Sequence, residues 1–157
     1  MPEVNDEDFA GFASAKLNIP VDGIYRFGFQ GDDGGYLRIP GGTFTSIVEN
    51  ATGNAVIDEG GARINCDCLT GNSRTIGEIF LTAGVHDIEA LFLERGGGNY
   101  WEVFASGPGG LDSYALLTTG AAGVYEDFDG IQLVPEPSTA LLALLGLVGL
   151  AFARRRK

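Results

Sequence analysis

Apolar and polar residues alternate along much of the chain, in short runs that glycine-rich turns separate. An alternation with a period of two is typical of half-buried β-strands, because successive side chains of a strand point to opposite faces. The pattern predicts the following strands: Ser14–Ile19, Ile24–Gln30, Tyr36–Ile39, Thr43–Val48, Ala55–Ile57, Arg63–Cys68, Glu78–Leu81, Val85–Glu94, Tyr100–Ser106, Tyr114–Thr118 and Ile131–Val134. No convincing helical pattern precedes the C-terminal tail.

The longest predicted strand, Val85–Glu94, is apolar on both faces. This composition favours a strand that is buried on both sides or lies in the centre of a sandwich. Gly96–Asn99 is predicted to be a hairpin loop, with Tyr100–Ser106 as the returning strand. Short strands between glycine turns predict an all-β fold, an antiparallel β-sandwich that occupies residues 1–133.

The tail has a different pattern, an apolar run followed by four cations. Residues 140–153 are all Ala, Leu, Gly, Val or Phe, and Arg154, Arg155, Arg156 and Lys157 follow them. At a rise of about 1.5 Å per residue the run spans roughly 21 Å, whereas a bilayer core needs about 30 Å. We predict one short transmembrane helix at about residues 139–153, which anchors the chain transiently. A buried helix of a soluble core is the alternative, but the run lacks a polar face.

The basic cluster sets the expected orientation, with Arg154–Lys157 in the cytoplasm and residues 1–135 outside it. Pro135 and Pro137 fix φ and lack an N–H group, so the segment around Glu136 is expected to be extended and accessible to a processing enzyme.

This order of parts resembles the PEP-CTERM sorting signal of exopolysaccharide-producing Gram-negative bacteria, over residues 134–157. The resemblance implies that an exosortase, a membrane enzyme, cleaves near Pro135, Glu136 and Pro137. It also implies export, a transient anchor in the inner membrane, and delivery to the cell surface or extracellular matrix. Such tails also carry the label of an ice-binding protein C-terminal domain, which is not evidence of ice binding.

The charge of the chain limits its partners. Its 157 residues include 21 acidic and 10 basic ones, for a net charge of −11. Four of the cations lie in the last four residues, so the rest of the chain is more acidic still. This excess disfavours nucleic acid and anionic lipid as partners of the sandwich and suits divalent cations.

The first eight residues have no basic region and no apolar segment, so they do not form a signal peptide. A sorted protein must be exported. We therefore expect the true start, with a signal peptide, to lie upstream of Met1.

A second resemblance covers about residues 9–106. The segments Gly23–Phe29, Asp32–Gly34, Leu81–Ile88 and Leu93–Gly97 are similar, in the same order, to those of the protective-antigen (PA-fourteen) domain. That family implies a β-sandwich of jelly-roll type that often binds carbohydrate. The stretch from Phe44 to Thr75 does not align with the family.

In sugar-binding members of this family, two adjacent aspartates joined by an unusual peptide bond coordinate a calcium ion that also holds sugar hydroxyls. Asp32 and Asp33 match those positions, so the resemblance implies calcium as a cofactor and polysaccharide as a partner. Calcium takes 6–8 oxygen ligands, and adjacent carboxylates in a glycine loop can converge on it. The alternative is that Asp32-Asp33-Gly34 only shapes a turn through bonds to the backbone.

Cys66 and Cys68 are the only cysteines. Three interpretations remain open for them: a reduced structural pair, a disulfide that closes a small ring, and a metal site that would need two more ligands.

The sequence does not predict an enzymatic function. His86 is the only histidine and lies inside a predicted strand. Glu94 and Glu102 flank a loop and could form the carboxylate pair of a glycosidase, but exposed charges at strand ends are the much commoner explanation. Tyr100 and Trp101 could stack on sugar, whereas a single Trp beside a loop is more often part of a core.

Two hypotheses of function follow. The first is a surface-displayed module that binds polysaccharide, with calcium at Asp32 and Asp33. The second is a structural surface or biofilm-matrix protein with no discrete ligand site.

Overall fold

The computed structural model describes residues 8–117 and 131–134. These residues form eleven strands and a one-turn 3₁₀ helix at Glu59–Gly61. The strands are β1 (Phe9–Ile19), β2 (Gly23–Asp32), β3 (Gly34–Arg38), β4 (Phe44–Asn50), β5 (Val56–Asp58), β6 (Arg63–Cys66), β7 (Ser73–Leu81), β8 (Gly84–Glu94), β9 (Tyr100–Ser106), β10 (Ala115–Leu116) and β11 (Gln132–Val134).

The strands form two antiparallel sheets, which confirms the prediction of an all-β sandwich. The six-stranded sheet, here called sheet A, has the order β11-β1-β8-β3-β6-β5, and the five-stranded sheet B has the order β10-β9-β2-β7-β4. Most connections cross from one sheet to the other, so that β1, β3, β5 and β8 alternate along the chain with strands of sheet B.

The core lies between the two sheets. Alternate residues of β2, namely Tyr25, Phe27 and Phe29, are fully or almost fully buried there. The hydroxyl of Tyr25 donates a hydrogen bond of 2.7 Å to the carbonyl of Val21, so this buried polar atom has a partner. Sheet A covers these aromatic side chains with aliphatic ones, mainly Leu17, Leu37, Ile64 and Ile88.

One connection differs from its prediction. Gly96–Asn99 was expected to close a hairpin, but β8 pairs with β1 and β3, while β9 pairs with β2 and β10. The loop therefore crosses between the sheets, and the hairpin prediction is wrong. Glycine and asparagine support a tight turn in either case, so their presence does not distinguish a hairpin from a crossover.

Strand β7 begins five residues before the predicted Glu78–Leu81. Gly77 interrupts the apolar pattern that predicts a strand. Glycine is required at this position, because a Cβ there would meet Phe44 at 2.6 Å and Ile64 at 2.7 Å. The large neighbours fill the space that a side chain would otherwise occupy, so the strand continues through an apparent break.

The last described strand joins the sandwich to the tail. Strand β11 is antiparallel to β1, with Val134 opposite Lys16 and Leu133 opposite Leu17. The sorting motif, the basic cluster and the predicted helix at about 139–153 lie outside the described residues. Within residues 8–117 and 131–134, no helix is long and apolar enough to cross a membrane.

Candidate functional site

Asp32 and Asp33 lie where the chain crosses from sheet B to sheet A. Asp32 ends β2, the peptide bond between the two aspartates is cis, and Gly34 begins β3. Asp32 pairs with Tyr100 across sheet B, whereas Gly34 pairs with Leu93 across sheet A. The two carboxylates are thus held at one corner of the sandwich, beside the loops that follow β6 and β8.

The carboxylate of Asp33 connects those two loops. One oxygen, Oδ1, accepts a 2.9 Å hydrogen bond from the backbone N–H of Thr70, and Oδ2 accepts one of 2.9 Å from the N–H of Arg95. The residue is only 7% exposed. Hydrogen bonds to a charged acceptor are stronger than neutral ones, so Asp33 stabilises this corner by bonding backbone groups distant in sequence.

The cysteines lie next to the same corner. The structure pairs Cys66 and Cys68 as a disulfide, the second of the three interpretations. Oxidised cysteines fit an exported protein. The segment they constrain lies so close to Gly34 that a Cβ there would be 2.5 Å from the carbonyl oxygen of Cys66. The hydroxyl of Thr52 lies 3.2 and 3.3 Å from the two sulfurs.

Further acidic side chains approach the corner from the loop after β8. Glu94 is 2% exposed, and its Oε1 accepts a 2.7 Å hydrogen bond from the N–H of Gly96, whereas its buried Oε2 has no hydrogen-bond partner among residues 8–117 and 131–134. The guanidinium of Arg95 forms an ion pair with Asp67 on the opposite loop.

These groups fit a calcium ion only in part. Asp32 and Asp33 supply two adjacent carboxylates, but calcium takes 6–8 oxygens and both oxygens of Asp33 already accept amide hydrogen bonds. Across the part of the chain that the structure describes, no three Asp, Glu, His or Cys side chains form a group that could hold a metal ion. Calcium at Asp32 and Asp33 stays a prediction, and the observed bonds support a structural role for Asp33.

Tyr100 and Trp101 follow the Gly96–Asn99 loop, and Trp101 lies against the core. Trp101 packs into the core, stacked on Phe29 with ring centroids 4.9 Å apart and tilted against Phe92 at 5.3 Å. Its side chain fills the space above Gly31 and Gly35. Trp101 is therefore part of the core rather than of a sugar-stacking surface.

The structure does not bring the two candidate glycosidase carboxylates together. Glu94 is buried at the end of β8 in sheet A, whereas Glu102 lies on β9 in sheet B. A hydrogen bond to Glu102 raises the pKa of the Tyr100 hydroxyl. Glu102 thus contacts its neighbour two residues away on the same strand, β9.

His86 has a structural contact. Its Nε2 lies 2.8 Å from the carbonyl oxygen of Thr82, at the start of β8. It pairs with Leu17 at the far end of that strand from Glu94, so it does not take part in the corner.

Sequence reasoning missed the outer face of sheet A, which carries two parallel rows of side chains. Strand register places the first, here called the platform row, directly across five strands: Phe12, Leu91, Tyr36, Asn65 and Val56. The second, the charged row, lies two residues along the strands: Glu89, Arg38, Arg63 and Asp58. The apolar solvent face of β8 was the available signal, but it was interpreted as burial.

Ion pairs connect the charged row. Arg38 pairs with Glu89 at 2.9 Å, and Arg63 binds both oxygens of Asp58 at 2.6 and 2.8 Å. Glu59 bridges them, 2.7 Å from Arg38 and 2.9 Å from Arg63; the contact with Arg38 lacks hydrogen-bond geometry at Nε. Hydrogen bonding to Arg63 lowers the pKa of Asp58.

Arg63 also connects the two rows, because its guanidinium carbon lies 5.0 Å from the centroid of the Tyr36 ring. A cation over an aromatic face is attracted to it. The contact holds the ring of Tyr36 in a fixed place on the outer surface.

Comparison with known proteins bears on the tail alone. Residues 133–157 match the model of the PEP-CTERM protein-sorting motif. That match supports the prediction of the sorting signal and indicates an exported protein that an exosortase sorts. No curated protein and no solved structure matches the chain.

Proposed function

We propose that this chain is an exosortase substrate that delivers its β-sandwich to the cell surface or extracellular matrix, where the sandwich binds polysaccharide. In this proposal the sandwich is the domain that is exported, and the tail is the signal that sorts it. The proposal has two parts, delivery and binding, and each has its own test.

The delivery part of the proposal rests on the continuity between sheet A and the sorting motif. Strand β11 is hydrogen-bonded to β1 through Val134, and the matched sorting motif begins at residue 133. No linker separates the two, so an enzyme that processes the motif acts directly after the edge strand of the folded domain. The sandwich must accompany the tail to its destination.

Two features support polysaccharide as the ligand. The sandwich resembles the protective-antigen domain over residues 9–106, and many members of that family bind carbohydrate. The acidic excess of the chain disfavours nucleic acid and anionic lipid, which leaves neutral polymers among the abundant components of a matrix.

Delivery is tested in the producing bacterium with the full chain. Replacing Pro135, Glu136 and Pro137 together by alanine should cause an unprocessed, membrane-bound form to accumulate, as seen by cell fractionation and mass. Glu126→Ala also removes an acidic side chain but lies outside the motif. It is the matched control and should be processed as the wild type is. Normal release of the triple variant would contradict the delivery proposal.

Binding is tested with the full chain in a detergent without a sugar headgroup, against amorphous cellulose, xylan, galactomannan and dextran. The expected result is sedimentation with at least one neutral polysaccharide. The calcium prediction adds a second arm, in which calcium raises the melting temperature and Asp32→Asn abolishes that rise. Binding to none of the polymers contradicts this part of the proposal.

A structural matrix protein is the second candidate, and the use of both Asp33 oxygens in backbone hydrogen bonds favours it. Both carboxylate oxygens already serve the fold, so the corner can be conserved in shape without a ligand. On this candidate the chain stays in the matrix even when Asp32 and Asp33 are both alanine. Loss of the double variant from the matrix, despite correct folding, would count against it.

A further inference from the structure

Two of the exposed apolar side chains of sheet A, Phe12 and Val56, lie at the ends of one line across the strands, whereas Val85 is exposed elsewhere on the same face. Phe12 is 60% exposed and Val56 is 50% exposed, at the two ends of the platform row, while Leu91, Tyr36 and Asn65 between them are half-buried. Single exposed apolar residues are ordinary, but a contiguous apolar strip is a mark of an interaction surface.

The spacing of this row suits a sugar polymer. Neighbouring strands lie about 4.8 Å apart, so Phe12 and Tyr36, two strands apart, are separated by about 10 Å, and the row is about 19 Å long. The faces of a sugar ring with equatorial hydroxyls carry axial C–H groups, which are attracted to the electron-rich face of an aromatic ring. Two rings at this interval match the repeat of alternate sugars along an extended chain.

Polar groups beside the rings supply the hydrogen bonds that sugar hydroxyls require. Asn65 follows Tyr36 in the platform row, and its amide donates one N–H to Asp58 and leaves the other N–H and the oxygen for a ligand. The charged row lies about 7 Å along the strands. Its arginines are paired with Glu89, Asp58 and Glu59, so their charges are largely compensated. A surface with donors and acceptors but little net charge favours a neutral polymer over an anionic one.

We propose that a neutral, extended polysaccharide binds along the platform row, with sugar rings stacked on Phe12 and Tyr36 and hydroxyls bonded by Asn65 and the charged row. This inference rests on the proposed polysaccharide-binding function and places it on the outer face of sheet A, away from Asp32 and Asp33. Adjacent strands rotate by about 20–25°, so the row is twisted and fits a single chain better than a flat crystalline surface.

The experiment uses the same binding assay with Phe12→Ala, Tyr36→Ala and the double variant. Phe80→Ala is the matched control, since Phe80 is 56% exposed on the other sheet. Loss of one ring should weaken binding about five- to tenfold, and loss of both should abolish it. Tyr36→Phe keeps the ring and should bind within about twofold of the wild type. Circular dichroism and melting temperature show that each variant is folded, and Phe12→Ala, at the most exposed position, remains informative if Tyr36→Ala unfolds.

Several results would overturn the inference. If the double variant binds normally while Asp32→Asn does not, the ligand site is the corner, and the proposed function stands without this inference. If Phe80→Ala weakens binding as much as Phe12→Ala, the attachment is a nonspecific apolar effect.

If light scattering shows that Phe12→Ala converts a dimer to a monomer without affecting polysaccharide binding, the occupant of the platform row is a second copy of this chain. If the wild type binds alginate, an anionic polymer, but no neutral one, the charge argument is wrong. If it binds no polymer at all, the proposed binding function and this inference fall together.

Discussion

The outer faces of the two sheets are completed in different ways. On sheet B the segment after β9 folds back over the strands: Arg26 binds Asp112 at 2.6 Å, and Ser106 donates a 2.7 Å hydrogen bond to the carbonyl of Leu111. On sheet A the platform row stays open, with Phe12 and Val56 exposed at its ends.

The apolar residues under the covered face show what the covering achieves. Phe104, only 5% exposed, lies over Gly28 and meets the ring of Tyr114 edge-on at 5.4 Å, with Arg74 above it at 5.0 Å. The chain thus covers the part of sheet B around Phe104 with its own residues, whereas Phe80 on the same sheet and the ends of the platform row on sheet A stay exposed. The difference teaches that aromatic residues on an outer face have to be judged by what lies above them.

The same substitution on the two faces should give the largest contrast in stability. Phe104→Ala removes a buried ring and should lower the free energy of unfolding by about 3–4 kcal/mol, because a cavity forms under Tyr114. Phe12→Ala should change it by no more than about 0.5 kcal/mol, as is usual at exposed positions. Urea denaturation followed by circular dichroism measures both values.

The exposed Phe80 controls for the sheet itself. If Phe80→Ala costs as much as Phe104→Ala, then the strand position rather than the cover determines the stability. A large cost for Phe12→Ala would show that the platform row is part of the folded core and would end the contrast.

A smaller loss of stability is expected when the segment that covers Phe104 is altered at Tyr114. Tyr114→Ala removes the edge-on contact with Phe104 and the cation–π contact with Arg74, and should cost about 1–2 kcal/mol. Tyr114→Phe keeps both contacts and should cost much less. Equal losses for the two variants would mean that the hydroxyl, which hydrogen-bonds with Arg26, matters more than the ring.

The smallest expected effect concerns pH and the charged row. Hydrogen bonding to Arg63 holds the pKa of Asp58 below its value in the unfolded chain, which is about 3.9. The ionised carboxylate therefore stabilises the fold above that pH, and the contribution is lost as the pH falls through the lowered folded pKa. Asp58→Asn should lose less than about 1 kcal/mol near neutrality and show a flatter fall in melting temperature below about pH 4. Parallel curves for the variant and the wild type would contradict this.

The positions of most strands along the chain were predictable from alternation, as in β2, where Tyr25, Phe27 and Phe29 face the core, but β7 was only partly predicted because Gly77 interrupts its pattern. The pairing of strands was not predictable, since Gly96–Asn99 supports a hairpin and a crossover equally. The corner was partly predictable. The sequence places Asp33 beside Asp32, but its bonds to the amides of Thr70 and Arg95 depend on loops far away in sequence. The platform row escaped prediction because it exists only across strands, through the register that sets Phe12 level with Leu91 and Tyr36.

If residues 139–153 form the predicted transmembrane helix, the pairing of β11 with β1 limits how far the domain can stand from the bilayer. Val134 is held in the sheet, and the predicted helix begins near residue 139. Five residues reach at most about 17 Å when fully extended, which is less than the width of a domain of this size. The sandwich on its tether would therefore hover close to the lipid surface, and the processing enzyme would have to work in a narrow gap.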